Sequence, residues 1–258
     1  MRDEIAARLA AVRQAVADAA RRAGRDPAAV RIVAVTKTLP PAAVAAALAA
    51  GLADIGENYV QEALAKRAAV AGAASWHLIG GLQRNKVRAA VGLFDRVHTV
   101  DSAPLAAALA AEVGRAGRSL AVLVQVNVGG EGTKRGVRPE RVEVVAEAIL
   151  GHPGLRLEGL MAIPPAPARP EASRPHFRVL RELRNRAQTR LGVELPHLSM
   201  GMSDDFPVAV EEGATFLRLG RALFGGRGPG ASRPGSSVGG EGTLRKSASS
   251  APATWRGP

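Results

Sequence analysis

Eight short apolar stretches alternate with helical stretches over the first 225 residues, and this alternation restricts the chain to very few folds. The predicted strands are 31–38, 53–57, 75–80, 96–100, 120–127, 155–163, 197–201 and 215–220. Eight strands joined by crossover helices are what a closed parallel barrel requires. The pattern therefore predicts an α/β fold, a single (β/α)8 TIM barrel.

An open, doubly wound sheet is the alternative arrangement of the same elements. Such a sheet usually carries a glycine-rich dinucleotide turn after its first strand. Here that position holds Thr36, Lys37 and Thr38. The absence of glycine at this turn favours the barrel.

The two ends of the chain differ from its middle. Near the N-terminus, apolar residues at helical spacing predict an extra surface helix; they are Ile5, Leu9, Val12 and Val16. From residue 226 to 258 the composition changes to Gly, Ser, Pro, Arg and Ala without periodicity, which is typical of a segment that cannot bury enough apolar surface to fold. We therefore expect a barrel domain at 1–225 and a disordered tail at 226–258.

Composition excludes several functional classes. Cysteine is absent, so there is no disulfide framework and no thiolate metal site, which suits the cytoplasm. The net charge of +12 could attract nucleic acid or a phosphorylated small molecule, but aromatic residues make up only 3% of the chain and no dense Lys/Arg run occurs. No segment has the length and polarity of a membrane span or a signal peptide. We expect a cytoplasmic protein that binds neither nucleic acid nor membranes.

The first predicted strand ends in a lysine. Side chains two apart on a strand share a face, so Val33, Val35 and Lys37 point the same way. If the valines face the barrel core, Lys37 lies over that core at the strand's carboxyl end, where barrels carry their chemistry. A lysine held there loses hydration, which favours the neutral amine needed for Schiff-base chemistry with an aldehyde.

Other unusual residues also follow predicted strands. Taken singly, each has a structural explanation: His77 is typical of a hydrogen-bonded core histidine, Asn58 of a helix cap, and Met161 or Met202 of core filler. Because all of them fall at carboxyl ends of strands, a barrel would bring them to one rim. Further members of this set are Gln83, Asn85, Lys86, Asp101, Gln125, Asn127, Glu131 and Lys134.

The loops after the last two strands have the composition of a phosphate site. Barrels often bind phosphate there with backbone N–H groups and the N-terminus of a short helix. Serines, close-approach glycines and forked arginines are suitable parts; they are Ser199, Gly201, Ser203, Arg218, Gly220 and Arg221. A lysine opposite a phosphate site indicates a phosphorylated aldehyde, with pyridoxal 5'-phosphate as the obvious candidate. An aldolase-type lysine is the alternative, although we would expect it on a middle strand.

Six blocks occur in order between about residue 4 and residue 225: Val35-Thr36-Lys37, Gly56-Glu57-Asn58-Tyr59, Trp76-His77-Leu78-Ile79-Gly80, Gly159-Leu160-Met161, Leu198-Ser199-Met200-Gly201-Met202-Ser203 and Arg218-Leu219-Gly220. Together they resemble the pyridoxal phosphate homeostasis proteins, which share the fold of the alanine racemase N-terminal barrel. The resemblance implies that Lys37 carries the cofactor as an internal aldimine and that Asn58 lies close to its ring. It also implies that the Ser199 loop and the Arg218–Arg221 turn hold the phosphate.

One residue departs from the family pattern. Arg221 stands where a small hydroxyl residue is common, so we expect a charged phosphate contact there. The complete set of predicted cofactor-binding residues is Lys37, Asn58, His77, Met161, Ser199, Gly201, Met202, Ser203, Arg218, Gly220 and Arg221. No residue is assigned a catalytic or metal-binding role.

The resemblance implies a carrier or buffer of pyridoxal phosphate without catalytic turnover, acting in vitamin B6 balance. The alternative is a pyridoxal phosphate-dependent amino-acid racemase of low activity, which needs a base on each face of the Cα carbanion. True alanine racemases take their second base, a tyrosine, from an additional domain of the partner chain, whereas this barrel contains only Tyr59. We expect a monomer whose partners are pyridoxal phosphate and pyridoxal phosphate-dependent apo-enzymes.

Overall fold

The computed structural model describes residues 1–130 and 135–226. Within them the strands are β1 (Arg31–Val35), β2 (Asp54–Glu57), β3 (Ser75–Leu78), β4 (Arg96–Val100), β5 (Leu120–Val126), β6 (Leu155–Ala162), β7 (His197–Ser199) and β8 (Phe216–Leu219). Each strand pairs in parallel with the next, and β8 pairs in parallel with β1, which closes the barrel. The predicted TIM barrel is confirmed, and the alternative of an open, doubly wound sheet is excluded.

A helix follows every strand. The helices of the described residues are α1 (Arg2–Arg22), α2 (Pro41–Ala49), α3 (Val60–Ala69), α4 (Val87–Leu93), α5 (Ala103–Arg115), α6 (Val142–Leu150), α7 (Arg174–Leu191), α8 (Phe206–Glu211) and α9 (Arg221–Phe224). Short 3-10 turns lie at Pro27–Ala29, Arg84–Lys86, Pro139–Arg141 and Pro170–Ser173. Because all connections run the same way, all strand carboxyl ends lie at one end of the barrel. In the described part of the chain, no helix combines the length and apolarity needed to cross a bilayer.

The predicted N-terminal helix is α1, which packs against α8 and α9. Its inner face buries the four predicted apolar residues and two alanines: Ile5, Leu9, Val12, Val16, Ala19 and Ala20. Burying each of the larger side chains contributes about 1.5–3 kcal/mol. At its C-terminal end, Arg22 Nε donates to Glu211 Oε1 at 2.8 Å, which ties α1 to the end of α8.

The barrel lumen is partly polar. In most TIM barrels the lumen is filled mainly by branched apolar side chains. Alternate strand residues face the lumen, and those that hydrogen-bond to one another there are Arg31, Asp54, His77, His98, Ser199 and Arg218. The Phe216 ring lies among three histidines: its centroid is 5.5 Å from that of His77, 5.4 Å from His98 and 4.4 Å from His197.

Most predicted strands end one to three residues too late. Strand β1 ends at Val35 rather than at residue 38, because the chain turns at once and Thr38 adopts a left-handed φ of 64°. Strand β7 ends at Ser199 rather than at residue 201 for a similar reason, since Gly201 has a φ of 91°. The early ends place the predicted rim residues in loops, where side chains can converge on a ligand. Helix α9, which starts at Arg221, is absent from the prediction.

Some predictions lie outside the described residues. The predicted rim residues Glu131 and Lys134 do, and so does the segment for which the sequence predicts disorder, apart from Gly226.

Candidate functional site

A cavity of about 540 Å³ opens at the carboxyl ends of the strands. Pockets that hold small ligands and cofactors typically have about 300–1,000 Å³. The residues that line it are Val35, Lys37, Asn58, Ile79, Ile163, Met202, Ser203, Asp204, Arg218, Gly220, Arg221 and Gly226. We call this cavity the mouth pocket.

Seven of the eleven predicted cofactor-binding residues line the mouth pocket: Lys37, Asn58, Met202, Ser203, Arg218, Gly220 and Arg221. They come from β8 and from the loops after β1, β2, β7 and β8, and only the closed barrel brings these segments together. The other four, His77, Met161, Ser199 and Gly201, are buried and do not line it.

The backbone on both sides of Lys37 is held by one buried cluster. Before it, the Thr36 carbonyl accepts from Lys66 Nζ, and the Thr36 hydroxyl donates to Glu57. After it, the Thr38 N–H donates to Glu62, which also pairs with Lys66 Nζ at 2.7 Å. Because φ is positive at Thr38, this turn is held against its own steric preference. The cluster therefore fixes the loop from which Lys37 extends.

The lysine of this cluster is itself deeply buried. Lys66 Nζ lies 2.6 Å from Glu57 Oε1, and their side chains are 3% and 0% exposed. Burial raises the pKa of the Glu57 carboxyl, and hydrogen bonds from Lys66 and Thr36 oppose that rise. Glu57 Oε2 has no hydrogen-bond partner, so this carboxyl depends on Lys66 for its charge balance.

Arg218 forms the floor of the mouth pocket. Its guanidinium donates to Ser199 Oγ at 2.7 Å and to the Ala162 carbonyl at 2.8 Å, and the residue is 4% exposed. Burial lowers the pKa of Arg218 to about 10, so the group stays charged at neutral pH. The pocket floor is therefore a fixed positive charge with a defined plane.

The loop after β7 is held from below by a buried carboxylate. Asp205 accepts from the Met202 N–H at 2.7 Å and from the Ser173 hydroxyl at 2.7 Å. Gly201 cannot carry a side chain here, because a Cβ would lie 2.6 Å from Ala209 Cβ and the φ of 91° is left-handed. Gly201 therefore shapes the loop and does not face the mouth pocket.

Two contacts join this loop to the turn after β8. The Ser203 hydroxyl accepts from the Ala222 N–H at 3.1 Å, and it keeps its own hydrogen for donation. The Arg221 guanidinium pairs with Asp204 at the outer edge of the pocket, where both side chains are more than half exposed. The carboxylate of Asp204 therefore partly neutralises the cation predicted to meet a phosphate.

The structure places His77, which the sequence predicts to bind the cofactor, away from the lining of the mouth pocket. Both ring nitrogens have partners inside the lumen: Nε2 lies 2.9 Å from Asp54 Oδ1, and Nδ1 lies 2.9 Å from His98 Nε2. The residue is fully buried on β3, one residue before the strand ends. Burial lowers its pKa, so the ring is neutral at pH 7 despite Asp54. His77 belongs to the lumen and does not reach the rim.

Ser199 and Met161, also predicted to bind the cofactor, lie below the mouth pocket as well. Both are fully buried, and they face each other in the register of β6 and β7. The Ser199 hydroxyl is occupied by Arg218 and His98 Nδ1. Ser199 therefore affects the mouth pocket by binding Arg218, and the Met161 side chain packs inside the lumen.

The sequence prediction left out several residues of the site. Ile79, Ile163 and Val35 form its apolar walls, and Asp204 adds a negative charge. The alternation that placed Lys37 inward also places Val35 inward, so that signal was present. No sequence pattern indicated the cluster behind Lys37. Lys66 lies on helix α3 among polar and charged residues typical of a surface helix, and it meets Glu57 only in the folded barrel.

Other predicted rim residues lie beside the mouth pocket. Gln83 and Lys86 line a separate groove of about 300 Å³, which shares Asn58 with the mouth pocket and also contains Arg135. Gln125 lies deeper, where its side-chain Nε2 donates to the Arg135 carbonyl at 3.3 Å.

Comparison with known proteins places the chain among described relatives. The family model for the alanine racemase N-terminal domain matches residues 7–228. The pyridoxal phosphate homeostasis protein of Pseudomonas aeruginosa is 48% identical over 228 residues, covering 88% of this chain and 97% of that protein. That of Aquifex aeolicus is 44% identical over 221 residues, covering 85% and 97%.

Solved structures of similar fold and sequence include those of PipY. Two structures of PipY from Synechococcus elongatus, one with pyridoxal phosphate bound and one without, are 37% and 38% identical to this chain. Their TM-scores are 0.75 and 0.77, and each comparison covers 86% of this chain and 100% of PipY.

Proposed function

The chain belongs to the alanine racemase N-terminal domain family, among the pyridoxal phosphate homeostasis proteins, and we propose that it holds pyridoxal 5'-phosphate in the mouth pocket. The observation that carries this proposal is that Lys37, the Ser203 hydroxyl and the guanidinium groups of two arginines line one cavity of about 540 Å³. An amine suits an aldehyde, and cations with a hydroxyl suit a phosphate dianion. PipY, whose structure includes this cofactor, supports the same assignment.

The residues of the mouth pocket fit the cofactor part by part. Ser203, the Gly220 turn and Arg221 are the groups proposed to hold the phosphate, with Arg218 supplying positive charge from the floor. Apolar contact with the ring would come from Val35, Ile79, Ile163 and Met202, with Asn58 beside it. When bound, the cofactor supplies an aldehyde that condenses with the Lys37 amine, forming a C=N bond and releasing water.

The residues of this chain bind and orient rather than move protons. In the described part of the chain, the ionisable groups that line the mouth pocket are Lys37, Asp204, Arg218 and Arg221. Arginine side chains donate and do not act as bases, and Asp204 is paired with Arg221. Lys37 is thus the base best placed for proton exchange. A single base supports holding or slow exchange rather than two-base inversion.

The racemase alternative rests on the family's name. Tyr59 is 54% exposed and lines the neighbouring groove rather than the mouth pocket. A second base would therefore have to come from elsewhere. Incubation of the loaded protein with D- and L-alanine, followed by chiral chromatography, tests this: turnover at rates typical of racemases would overturn the proposal of a carrier.

The carrier role predicts handover. We propose that the chain is a cytoplasmic monomer that gives pyridoxal phosphate to pyridoxal phosphate-dependent apo-enzymes, as the homeostasis name of its relatives suggests. The test is reactivation of such an apo-enzyme by loaded protein held in a dialysis compartment or mixed directly. Faster reactivation on direct mixing supports delivery, and equal rates support simple release.

Lys37 variants test the assignment of the site. Purified wild-type protein incubated with pyridoxal phosphate should keep a near-visible absorbance band after dialysis, and Lys37→Ala should lose it. Lys86→Ala is the matched control, because Lys86 lies in the neighbouring groove. Retention of the full band in Lys37→Ala would assign the linkage to another lysine.

A further inference from the structure

A continuous row of buried polar side chains crosses the barrel lumen beneath the mouth pocket. The successive contacts are Arg218 Nη1 to Ser199 Oγ at 2.7 Å, Ser199 Oγ to His98 Nδ1 at 2.8 Å, His98 Nε2 to His77 Nδ1 at 2.9 Å and His77 Nε2 to Asp54 Oδ1 at 2.9 Å. Ser199, His98 and His77 are fully buried. We call these five residues the lumen chain.

The two ends of the lumen chain determine its direction. Arginine can only donate hydrogen bonds, so Ser199 Oγ accepts from Arg218. At the other end, an ionised carboxylate can only accept, so a neutral His77 must carry its proton on Nε2, facing Asp54. Asp54 stays ionised because Arg31 binds both of its oxygens, at 3.0 and 2.6 Å.

The middle of the chain then has one solution. With its proton on Nε2, His77 has an unprotonated Nδ1, which accepts a hydrogen bond from His98 Nε2–H. His98 in turn offers a bare Nδ1 to the Ser199 hydroxyl. Every donor has an acceptor, and every bond runs from Arg218 towards Asp54.

The surroundings keep both histidines neutral. His77 is faced by Asp54 on β2, Arg31 on β1 and Arg96 on β4, and burial is the main cause that lowers its pKa. His98 is faced by His77, Arg218 on β8, Arg96 and His197 on β7, and burial lowers its pKa further. Asp54 alone among these groups would favour a protonated ring, and Arg31 already pairs with it.

We propose that Ser199, His98, His77 and Asp54 are positioning residues that fix the Arg218 guanidinium at the floor of the mouth pocket. A guanidinium is a planar fork, so bonds to Ser199 Oγ and to the Ala162 carbonyl set its plane. Donation of the Ser199 hydrogen to His98 fixes the rotation of the hydroxyl and directs its lone pairs towards Arg218. Because the role of the pocket is itself proposed, the effect on cofactor binding rests on the proposed function.

The proton order can be measured without any cofactor. Nitrogen-15 NMR of histidine-labelled protein distinguishes protonated from bare ring nitrogens, and variants assign the signals among the five histidines. The proposal predicts neutral His77 and His98, both with the proton on Nε2, at pH 7. A proton on Nδ1 of either ring, or a charged ring, would overturn it.

The positioning role is measured by cofactor affinity. His98→Leu should weaken pyridoxal phosphate binding at least tenfold, whereas His98→Asn keeps an acceptor for Ser199 and should stay within about threefold of wild type. His197→Leu is the matched control, since His197 lies in the same lumen but contacts Thr215 instead of the chain. Equal affinities of His98→Leu and wild type, or of His98→Asn and His98→Leu, would contradict the role.

Ser199→Ala is the second variant, for use if His98→Leu does not fold. It removes the acceptor for Arg218 and should weaken binding at least fivefold; unchanged affinity would overturn the proposal. Failure of the proposed function looks different: wild-type protein would not bind pyridoxal phosphate, while the NMR result would still decide the proton order.

Discussion

Lys66 Nζ lies 2.6 Å from Glu57 Oε1 in a fully buried ion pair directly behind the loop that carries Lys37. The Lys66 side chain is only 3% exposed, and the same amino group also donates to the Thr36 carbonyl. Burying an ion pair is costly, and such pairs often add little net stability. We infer that this pair serves mainly to fix the loop that carries Lys37.

Lys66→Met should lower both stability and cofactor retention. Removing one partner of a buried pair leaves an unpaired charge and costs about 3–5 kcal/mol, and Thr36 loses its carbonyl partner. Urea unfolding measures the first effect, and the absorbance of dialysed, loaded protein measures the second. Glu57→Gln combined with Lys66→Met should recover part of the stability, because the fully buried Glu57 carboxylate is then removed and only the partly exposed Glu62 loses its cation. A single variant as stable as wild type would contradict the role of the cluster.

Gly201→Ala should destabilise the protein by about 1–3 kcal/mol, because of the left-handed backbone and the overlap with Ala209. Gly114→Ala is the control: Gly114 lies in helix α5 with nothing within 4 Å of an added Cβ, so the change should be neutral or slightly stabilising. Thermal unfolding of both variants checks the contrast. Equal melting temperatures would show that the loop adapts to a side chain.

Asp204→Asn should tighten pyridoxal phosphate binding. The Asp204 carboxylate pairs with Arg221 at the rim and competes with a phosphate for it. Exposed pairs of this kind are worth about 0.2–1 kcal/mol, so a gain of roughly twofold to fivefold in affinity is expected, and it should shrink at high salt. Spectroscopic titration at two salt concentrations measures it. Weaker binding would mean that Asp204 orients Arg221 for the phosphate.

The protein should lose stability as the pH falls below 6.5. His77 and His98 have pKa values lowered by burial, so below the ordinary value of 6.5 the unfolded chain binds protons that the folded chain does not. Their contribution is therefore intact above pH 6.5 and is lost as the pH drops, at about 1.4 kcal/mol per pH unit for each histidine. Urea unfolding from pH 8 to pH 5 measures this slope. His98→Asn should be less steep, and a flat wild-type profile would contradict neutral histidines.

The fold could be predicted from the sequence because its signals are local. The strands are short, and some of them, such as β1 and β5, are rich in β-branched residues; several helices between them repeat apolar residues at helical spacing, so the order of elements follows without tertiary information. Strand ends were predicted less well, since Thr38 and Gly201 leave the strand through backbone angles that composition does not reveal.

The site could be predicted only in part, for a geometric reason. Residues at strand ends, such as Lys37, Ser203 and Arg218, converge wherever a barrel closes. Whether a lumen-facing residue such as His77 reaches the rim depends on the register between strands, here Gly56 opposite His77 and His77 opposite Arg96. Charged residues early in apolar strands, such as Arg31 and Asp54, were the available signal for a polar lumen.

Borohydride trapping tests most directly the proposal that Lys37 holds the cofactor covalently. Protein loaded with pyridoxal phosphate is reduced, digested and mapped by mass spectrometry, with absorbance recorded before and after. Covalent attachment at Lys37 predicts loss of the near-visible band and a single modified peptide bearing the reduced cofactor on Lys37. Modification of another lysine, or no band and no modified peptide, would contradict it.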